Sequence, residues 1–339
     1  YADVVKDKSI RRQLIEAQGN NEELIYNEKE EIESVLAKTQ NSIVSINLIK
    51  NSNDSIQNAL SEMDKVKKEY AEKYASGQKY LGIPCGIAKI DDYIDGMRPG
   101  HIWVVGAFTS TGKTQFALNV VQSVLEQGQP VSIISLEMSK VDLASRLIGI
   151  RTNVSSMKIL KGIYDQELKD KVFEARTFLD LTECEIHTTY FDLEKIKMII
   201  RMDVYSKKTK VVVIDYIQNI ISERGKREYE VLTQSATDLQ ALSRELGITI
   251  YIVSQISNEA EKGEGAGAGF KGTGALEAVA DIAIRLKRNK KEEMPDDEYV
   301  NMDIVITKNR HGYTGVISDY VMWLKSGKFE INPKEQSRI

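Results

Sequence analysis

The stretch IWVVGAFTSTGKT, Ile102 to Thr114, constrains the fold of this chain more than any other. An apolar run rich in β-branched residues leads into a short loop, and a helix is expected to begin at Lys113. Such a strand–loop–helix unit aims the backbone N–H groups of the loop and of the helix N-terminus at one point. That arrangement is a cradle for phosphate oxygens. The cradle comprises Gly106, Ala107, Phe108, Thr109, Ser110, Thr111, Gly112, Lys113 and Thr114. Lys113 is placed to reach the β- and γ-phosphates of a nucleotide, and the Thr114 hydroxyl to ligate Mg²⁺. The strict pattern GxxxxGK[ST] asks for Gly at 107, where Ala107 stands, and Gly106 comes one residue early.

A phosphate cradle that drives hydrolysis needs carboxylates nearby, and strand ends are where α/β sites form. Val211 to Tyr216 reads VVVIDY, so Asp215 ends an apolar strand, expected next to the cradle strand, and fits a Mg²⁺-associated carboxylate. Glu137 follows VSIIS in the run SLEMS and is the candidate to orient and deprotonate water. Gln255 ends the strand of IVSQIS, where an amide could sense the γ-phosphate.

The pattern around these motifs is strand–helix alternation. Ile102–Gly106, Val131–Ser135, Val211–Asp215 and Thr249–Ser254 are apolar runs suited to strands buried on both faces. Helical segments lie between them at Lys113–Gln127, Lys140–Ile150 and Glu228–Leu246. Asp281–Leu286, Met302–Thr307 and Gly315–Leu324 read as further strands, close together and antiparallel at one end. The expected class is α/β, a mainly parallel central sheet flanked by helices. Residues 262–274, KGEGAGAGFKGTG, read as a Gly-rich loop, and 287–298, KRNKKEEMPDDE, as a charged loop. Residues 1–80 differ: they hold helical periodicity and charge but no strand run, and read as a helical linker and extension before the domain at 81–339. The extension either packs on its own domain or docks as an arm on a neighbouring subunit.

Composition narrows the class further. With 46 basic and 50 acidic residues the net charge is −4, so nucleic-acid contact must come from a local patch. No stretch approaches the ~18 apolar residues of a membrane span. Cys85 and Cys184 form neither a disulfide framework nor a CxxC pair, which points to a reducing, cytoplasmic setting.

In this order the motifs resemble the C-terminal ATPase domain of DnaB-type hexameric replicative DNA helicases, a RecA-like P-loop fold. The resemblance is carried by GIPCGIAKIDDYIDGMRPG (82–100), GAFTSTGKTQFALN (106–119), SLEM with Arg146 nine residues after Glu137, VVVIDYIQ (211–218), LQALSREL (239–246), VSQIS (253–257), GTGALEAVAD (272–281) and TKNRHGYTG (307–315). Residues 1–17, YADVVKDKSIRRQLIEA, resemble the family's linker helix, which docks on the adjacent subunit.

The resemblance implies a ring-shaped homo-hexamer that uses ATP and Mg²⁺ to move 5′→3′ on single-stranded DNA and to unwind duplex. Gln255 and Arg146 would contact the phosphate region. Lys308 and Arg310, alternating on a strand and so on one face, would act as fingers in a neighbour's site. Lys271, Gly272, Thr273 and Gly274 would grip DNA. There Gly272 replaces the usual acidic residue, and Asn258 replaces an Arg that commonly follows SQxS. Primase and a helicase loader are implied as partners. The implied location is the cytoplasm at the nucleoid, or the host cytoplasm for a virus-encoded chain. The family's N-terminal collar domain is not expected within these residues. A RecA-like recombination or repair ATPase that binds DNA without unwinding it is the alternative reading.

Overall fold

The computed structural model describes residues 2–26, 32, 34–36, 38–39, 42, 56–188, 192–220, 228–256, 274–289 and 298–336. The chain divides into two compact units, Tyr1–Lys79 with Glu194–Ile199, and Tyr80–Leu193 with Ile200–Ile339. The first contains helices α1 (Ala2–Ile25) and α2 (Ile56–Ala75). Helix α1 runs past the expected end at residue 17. Helix α2 buries none of its residues and leaves Ile56, Leu60, Met63 and Tyr74 exposed.

The second unit is built on one sheet, and of the helix Leu193–Lys207 it includes Leu193 and the part from Ile200 onward. In chain order its elements are α3 (Ala88–Ile94), β1 (Ile102–Ala107), α4 (Lys113–Glu126), β2 (Val131–Ser135), α5 (Lys140–Thr152), α6 (Ser156–Lys161), α7 (Gln166–Asp180), β3 (Cys184–Thr188), α8 (Leu193–Lys207), β4 (Val211–Asp215), a 3₁₀ turn (Ile217–Asn219), α9 (Glu228–Leu246), β5 (Thr249–Gln255), α10 (Gly274–Val279), β6 (Ile282–Arg288), β7 (Tyr299–Asn309), β8 (Gly315–Trp323), β9 (Phe329–Ile331) and α11 (Pro333–Gln336). The strand order is β3-β2-β4-β5-β1-β6-β7-β8-β9. Strands β1 to β6 pair in parallel, and β6 to β9 continue antiparallel.

Burial follows from that division. Every residue of β1, β2 and β4 is buried, as a parallel sheet covered on both faces requires. Most of β7 instead alternates between buried and part-exposed positions, the signature of a sheet with one wet face. Trp103, Phe116, Ile133, Val213 and Tyr251 fill the main core.

Three expectations change. Strand β5 lies between β1 and β4, so Asp215 is not on the strand beside the cradle; in a doubly wound sheet the strand neighbouring β1 need not come next in sequence. Strand β6 extends through Lys287 and Arg288, taken from sequence as loop. Lys287 lies opposite Asp303, and a cross-strand pair of opposite charge supports a strand that polarity alone would end. Strand β7 stops at Asn309, so the alternation rule does not reach Arg310, which is in the following turn.

Among the described residues no helix is long and apolar enough to cross a membrane.

Candidate active site

The parallel strands deliver their C-terminal ends to one edge of the sheet. Ala107 is opposite Gln255, Ser135 is opposite Asp215, and Ile214 is opposite Ile252. Three of the sequence candidates, Ala107, Asp215 and Gln255, therefore meet here without being close in sequence, and Glu137 follows two residues after Ser135. The loop after β1 turns back through Ser110 at φ 63° and Gly112 at φ 103°, and α4 starts at Lys113. The backbone conformation favours glycine there, and a Cβ on Gly112 would stand 2.5 Å from Met322 Sδ, so the Met322 side chain would have to shift.

Helix α4 is fixed from behind by the antiparallel strands. Phe116 meets Phe329 edge-on at 5.2 Å between ring centroids. The Asn119 side chain donates to Gly327 O at 2.9 Å and accepts from Phe329 N at 3.0 Å. The helix terminus that would hold phosphate is thus braced by β8 and β9.

Thr114 Oγ1 donates to Asp215 Oδ2 at 2.7 Å. Burial pushes the Asp215 carboxyl above the usual carboxylate range and Glu137 pushes the same way, while the Thr114 hydrogen bond, Lys113 and Arg146 oppose it. Burial also lowers the Lys113 ammonium from its ordinary value, against the pull of Asp215 and Glu137. These mutual effects place Lys113, Glu137, Arg146 and Asp215 within one electrostatic neighbourhood. A phosphate beside this half-buried ammonium would act in the same direction as Asp215 and Glu137 and favour its charged form.

Whether these residues suit Mg²⁺ is tested by Asp215 Oδ1, which is buried and has no hydrogen-bond partner. An orphaned carboxylate oxygen beside a threonine hydroxyl is a hard-oxygen donor set of the kind Mg²⁺ takes, with phosphate and water completing its shell. No cluster of three or more His, Cys, Asp or Glu side chains able to hold a metal occurs among the described residues. The residues present fit a metal bound together with a nucleotide.

Glu137 is exposed on a braced turn. The Ser135 hydroxyl accepts from Met138 N at 3.0 Å and donates to Met138 O at 3.1 Å. Leu136 N donates to Asp215 O at 2.7 Å, and the Asn219 amide donates to Leu136 O at 3.2 Å. Gln255 Nε2 donates to Thr109 Oγ1 at 2.7 Å, which ties the end of β5 to the cradle.

Gln218 is the residue that sequence reasoning passed over. Its amide nitrogen donates to Ser254 Oγ at 2.9 Å and to Gln255 O at 3.0 Å, and its oxygen accepts from Gln255 N at 3.3 Å. Its place three residues after Asp215, in VVVIDYIQ, was the available signal.

Lys308 and Arg310 lie at the opposite end of the sheet. Asn309 is opposite Ile282, and Trp103, near the start of β1, is also opposite Ile282. Lys308 Nζ donates to the carbonyls of Glu277 and Ala278, both at 2.8 Å, and burial lowers its pKa. Arg310 Nη1 pairs with Asp281 Oδ1 at 2.9 Å. The two are not brought to their own chain's cradle. Of the expected DNA-binding residues, Gly274 opens α10, and Lys271, Gly272 and Thr273 lie outside the described residues.

A family model, the DnaB-like helicase C-terminal domain, matches residues 82–329. The chain belongs to that family. The replicative DNA helicase DnaC of Bacillus subtilis is 27% identical to this DnaB-like chain over 326 residues, covering 94% of it and 71% of the relative. The replicative DNA helicase DnaB of Geobacillus stearothermophilus is 27% identical over 325 residues, covering 94% of this chain and 71% of its own. A solved ATPase domain superposes with a TM-score of 0.71 at 24% identity, covering 82% of this chain and 99% of that one. A DnaB-like replicative helicase, solved in a study of its interactions with primase, gives a TM-score of 0.68 at 23% identity over 87% of this chain and 78% of its own. The DnaB-like fold is therefore RecA-like, with a mostly parallel central sheet, as expected from sequence.

Proposed function

We propose that this DnaB-like chain is the motor of a replicative DNA helicase, an ATP-hydrolysing subunit that works as one of six in a ring. One observation carries the reading. Lys308 and Arg310 lie beside the N-terminal end of β1, and the phosphate cradle lies at its C-terminal end. From Ile102 to Ala107 a strand rises roughly 15 Å, beyond the reach of one side chain. Two cations so placed do not reach their own chain's nucleotide, which supports a role for them at a nucleotide held by another copy, and ring closure would supply every cradle with such a pair.

In each site Lys113 and the loop N–H groups bind the ATP phosphates, and Glu137 orients water and takes its proton. Thr114 and Asp215 would hold Mg²⁺, which supplies charge neutralisation at the phosphates when bound. Arg310 and Lys308 of the adjacent copy meet the charge that develops in the transition state, a contribution of about 10³–10⁵ in rate for such fingers. Gln255, through Thr109, senses the phosphates, and Arg146 adds positive charge nearby. Residues 271–274 track single-stranded DNA in the channel by backbone and charge rather than by base identity.

Residues 1–80 would serve as linker and extension, with α1 docking on the neighbouring copy. Leu14 and Ile15 are exposed on α1, and Met157, Leu160 and Ile163 are exposed around α6, so each copy offers exposed apolar side chains on both elements. Movement 5′→3′, service to a primase, delivery by a loader and a cytoplasmic site of action follow from the family resemblance. Family membership also favours this reading over a recombination-type ATPase.

The deciding experiment is strand separation on two forks, one with only a 5′ tail and one with only a 3′ tail. Unwinding should need ATP and the 5′ tail, and should vanish in Lys113→Ala. Robust DNA-stimulated hydrolysis without unwinding on either fork would point to the recombination-type reading.

A further inference from the structure

The turn that carries the finger is anchored at four consecutive residues. Lys308 is bound to two carbonyls of α10. The Asn309 amide donates to Tyr93 O at 3.1 Å and Tyr313 O at 3.0 Å, and its oxygen accepts from His311 N at 3.1 Å. The His311 ring stacks on His101 with centroids 4.7 Å apart and planes 10° apart. Arg310 is gripped by Asp281 through backbone and side chain together, because its N–H donates to Asp281 O at 2.9 Å and its guanidinium meets Oδ1 at 2.9 Å.

Asp281 is only 3% exposed. A carboxylate so placed is costly unless its oxygens are matched. One oxygen accepts from Ile102 N at 2.9 Å, at the foot of the cradle strand, and the other meets Arg310. The Arg310 side chain is nonetheless 41% exposed, and a guanidinium has five donors. The ion pair accounts for one of them and leaves an edge facing outward.

We propose that Asp281 is a positioning residue for Arg310: it holds one edge of the guanidinium against the base of the sheet and presents the other edge to the nucleotide of an adjacent copy. This rests on the reading of Arg310 as a finger acting in trans. An unheld arginine at a turn would have to give up its rotamer freedom at each catalytic event. A side chain already fixed in place does not, and displacement by about 1 Å can lower a rate roughly 100-fold. An incidental ion pair at a half-exposed site would have no such effect on rate.

The test is a double-mutant cycle on the assembled, full chain, with DNA-stimulated ATP hydrolysis, ring assembly and thermal unfolding all measured. Asp281→Asn keeps an acceptor for Ile102 N–H, and Asp281→Ser is the second variant should the first not assemble. The expected result is a fall in kcat of roughly 10- to 100-fold with KM for ATP and ring assembly unchanged. In the Arg310→Ala background the same substitution should cost nothing more, since both act through one guanidinium. Full activity of the Asp281 variants beside an inactive Arg310→Ala overturns the proposal and leaves the finger reading standing. So does a further loss in the Arg310→Ala background accompanied by a lower unfolding temperature. Full activity of Arg310→Ala alone overturns the finger reading itself, and the proposal with it.

Discussion

The Thr114 hydroxyl donates to one oxygen of Asp215 at 2.7 Å, and the other oxygen of that carboxylate is buried with no partner. The pair is half-satisfied, an arrangement that costs stability and is explained by a ligand that completes it. The raised pKa of Asp215 carries the same cost. The folded chain keeps this proton at pH values where the unfolded chain has lost it. The group therefore favours folding at low pH, and that contribution is lost as pH rises through the folded value. Asp215→Asn keeps an acceptor for Thr114 and removes the buried charge. At neutral pH, without nucleotide or Mg²⁺, its urea midpoint should lie above that of the parent, while ATP hydrolysis should fall by about 100-fold or more. A lower midpoint would show that the carboxylate is satisfied in the free chain.

Gly112 and Gly128 bracket helix α4 with positive φ values of 103° and 66°, but only Gly112 has a crowded Cβ position. Gly128→Ala meets nothing within 4 Å and should cost about 1 kcal/mol, from backbone strain alone. Gly112→Ala adds a clash with Met322 to that strain and should cost about 3 kcal/mol. It should also abolish nucleotide binding, because the N–H groups of the cradle must shift. Urea unfolding of the two variants, with fluorescent-nucleotide titration, checks both statements; equal costs would mean that Met322 moves aside freely.

Gln218 holds Gln255 by its backbone on both sides, and Gln255 holds Thr109 by its side chain. A change at the cradle can thus travel along this chain toward the segment after β5. Gln218→Ala should leave basal hydrolysis within about twofold and cut its stimulation by single-stranded DNA several-fold, since it touches no reacting atom. Intact stimulation would confine the glutamine to holding strand ends together.

The cradle, Asp215, Glu137 and Gln255 were legible because strand-end chemistry is written locally: an apolar run followed by a polar residue marks its own position. The same property explains what was missed. Gln218 lies in a 3₁₀ turn and works through backbone groups of another strand, a relation that no local pattern encodes. The place of β5 between β1 and β4 was hidden for the same reason, since strand order is decided by packing rather than by sequence neighbours. Strand β3 was not anticipated because its five residues include Glu185 and His187 and are only part-buried at the sheet edge. Arg310 was expected on a strand, but β7 ends one residue earlier, and its anchor Asp281 could be found only once β6 and β7 were in register.

Asp91 offers a test of the packing beneath the sheet, away from the catalytic chemistry. It lies in α3, 1% exposed, where its carboxylate accepts from Cys85 N at 2.8 Å and Gly86 N at 3.1 Å. Burial pushes its pKa up to about 6, the N–H bonds from Cys85 and Gly86 resist, and Asp92 adds a small upward push. In the unfolded chain the group titrates near 4. The folded state therefore binds the extra proton between those values, and the contribution of Asp91 to stability is full below about pH 4 and lost as pH rises through about 6. The span corresponds to about 3 kcal/mol. Asp91→Asn removes the titration while retaining an acceptor for Cys85 N–H. The stability of the parent minus that of the variant, from urea unfolding at pH 4.5 to 7.5, should fall steadily to about pH 6 and level off above it. A difference that stays constant across the range would mean that the two N–H groups hold the carboxylate ionised at its ordinary value and that burial is outweighed.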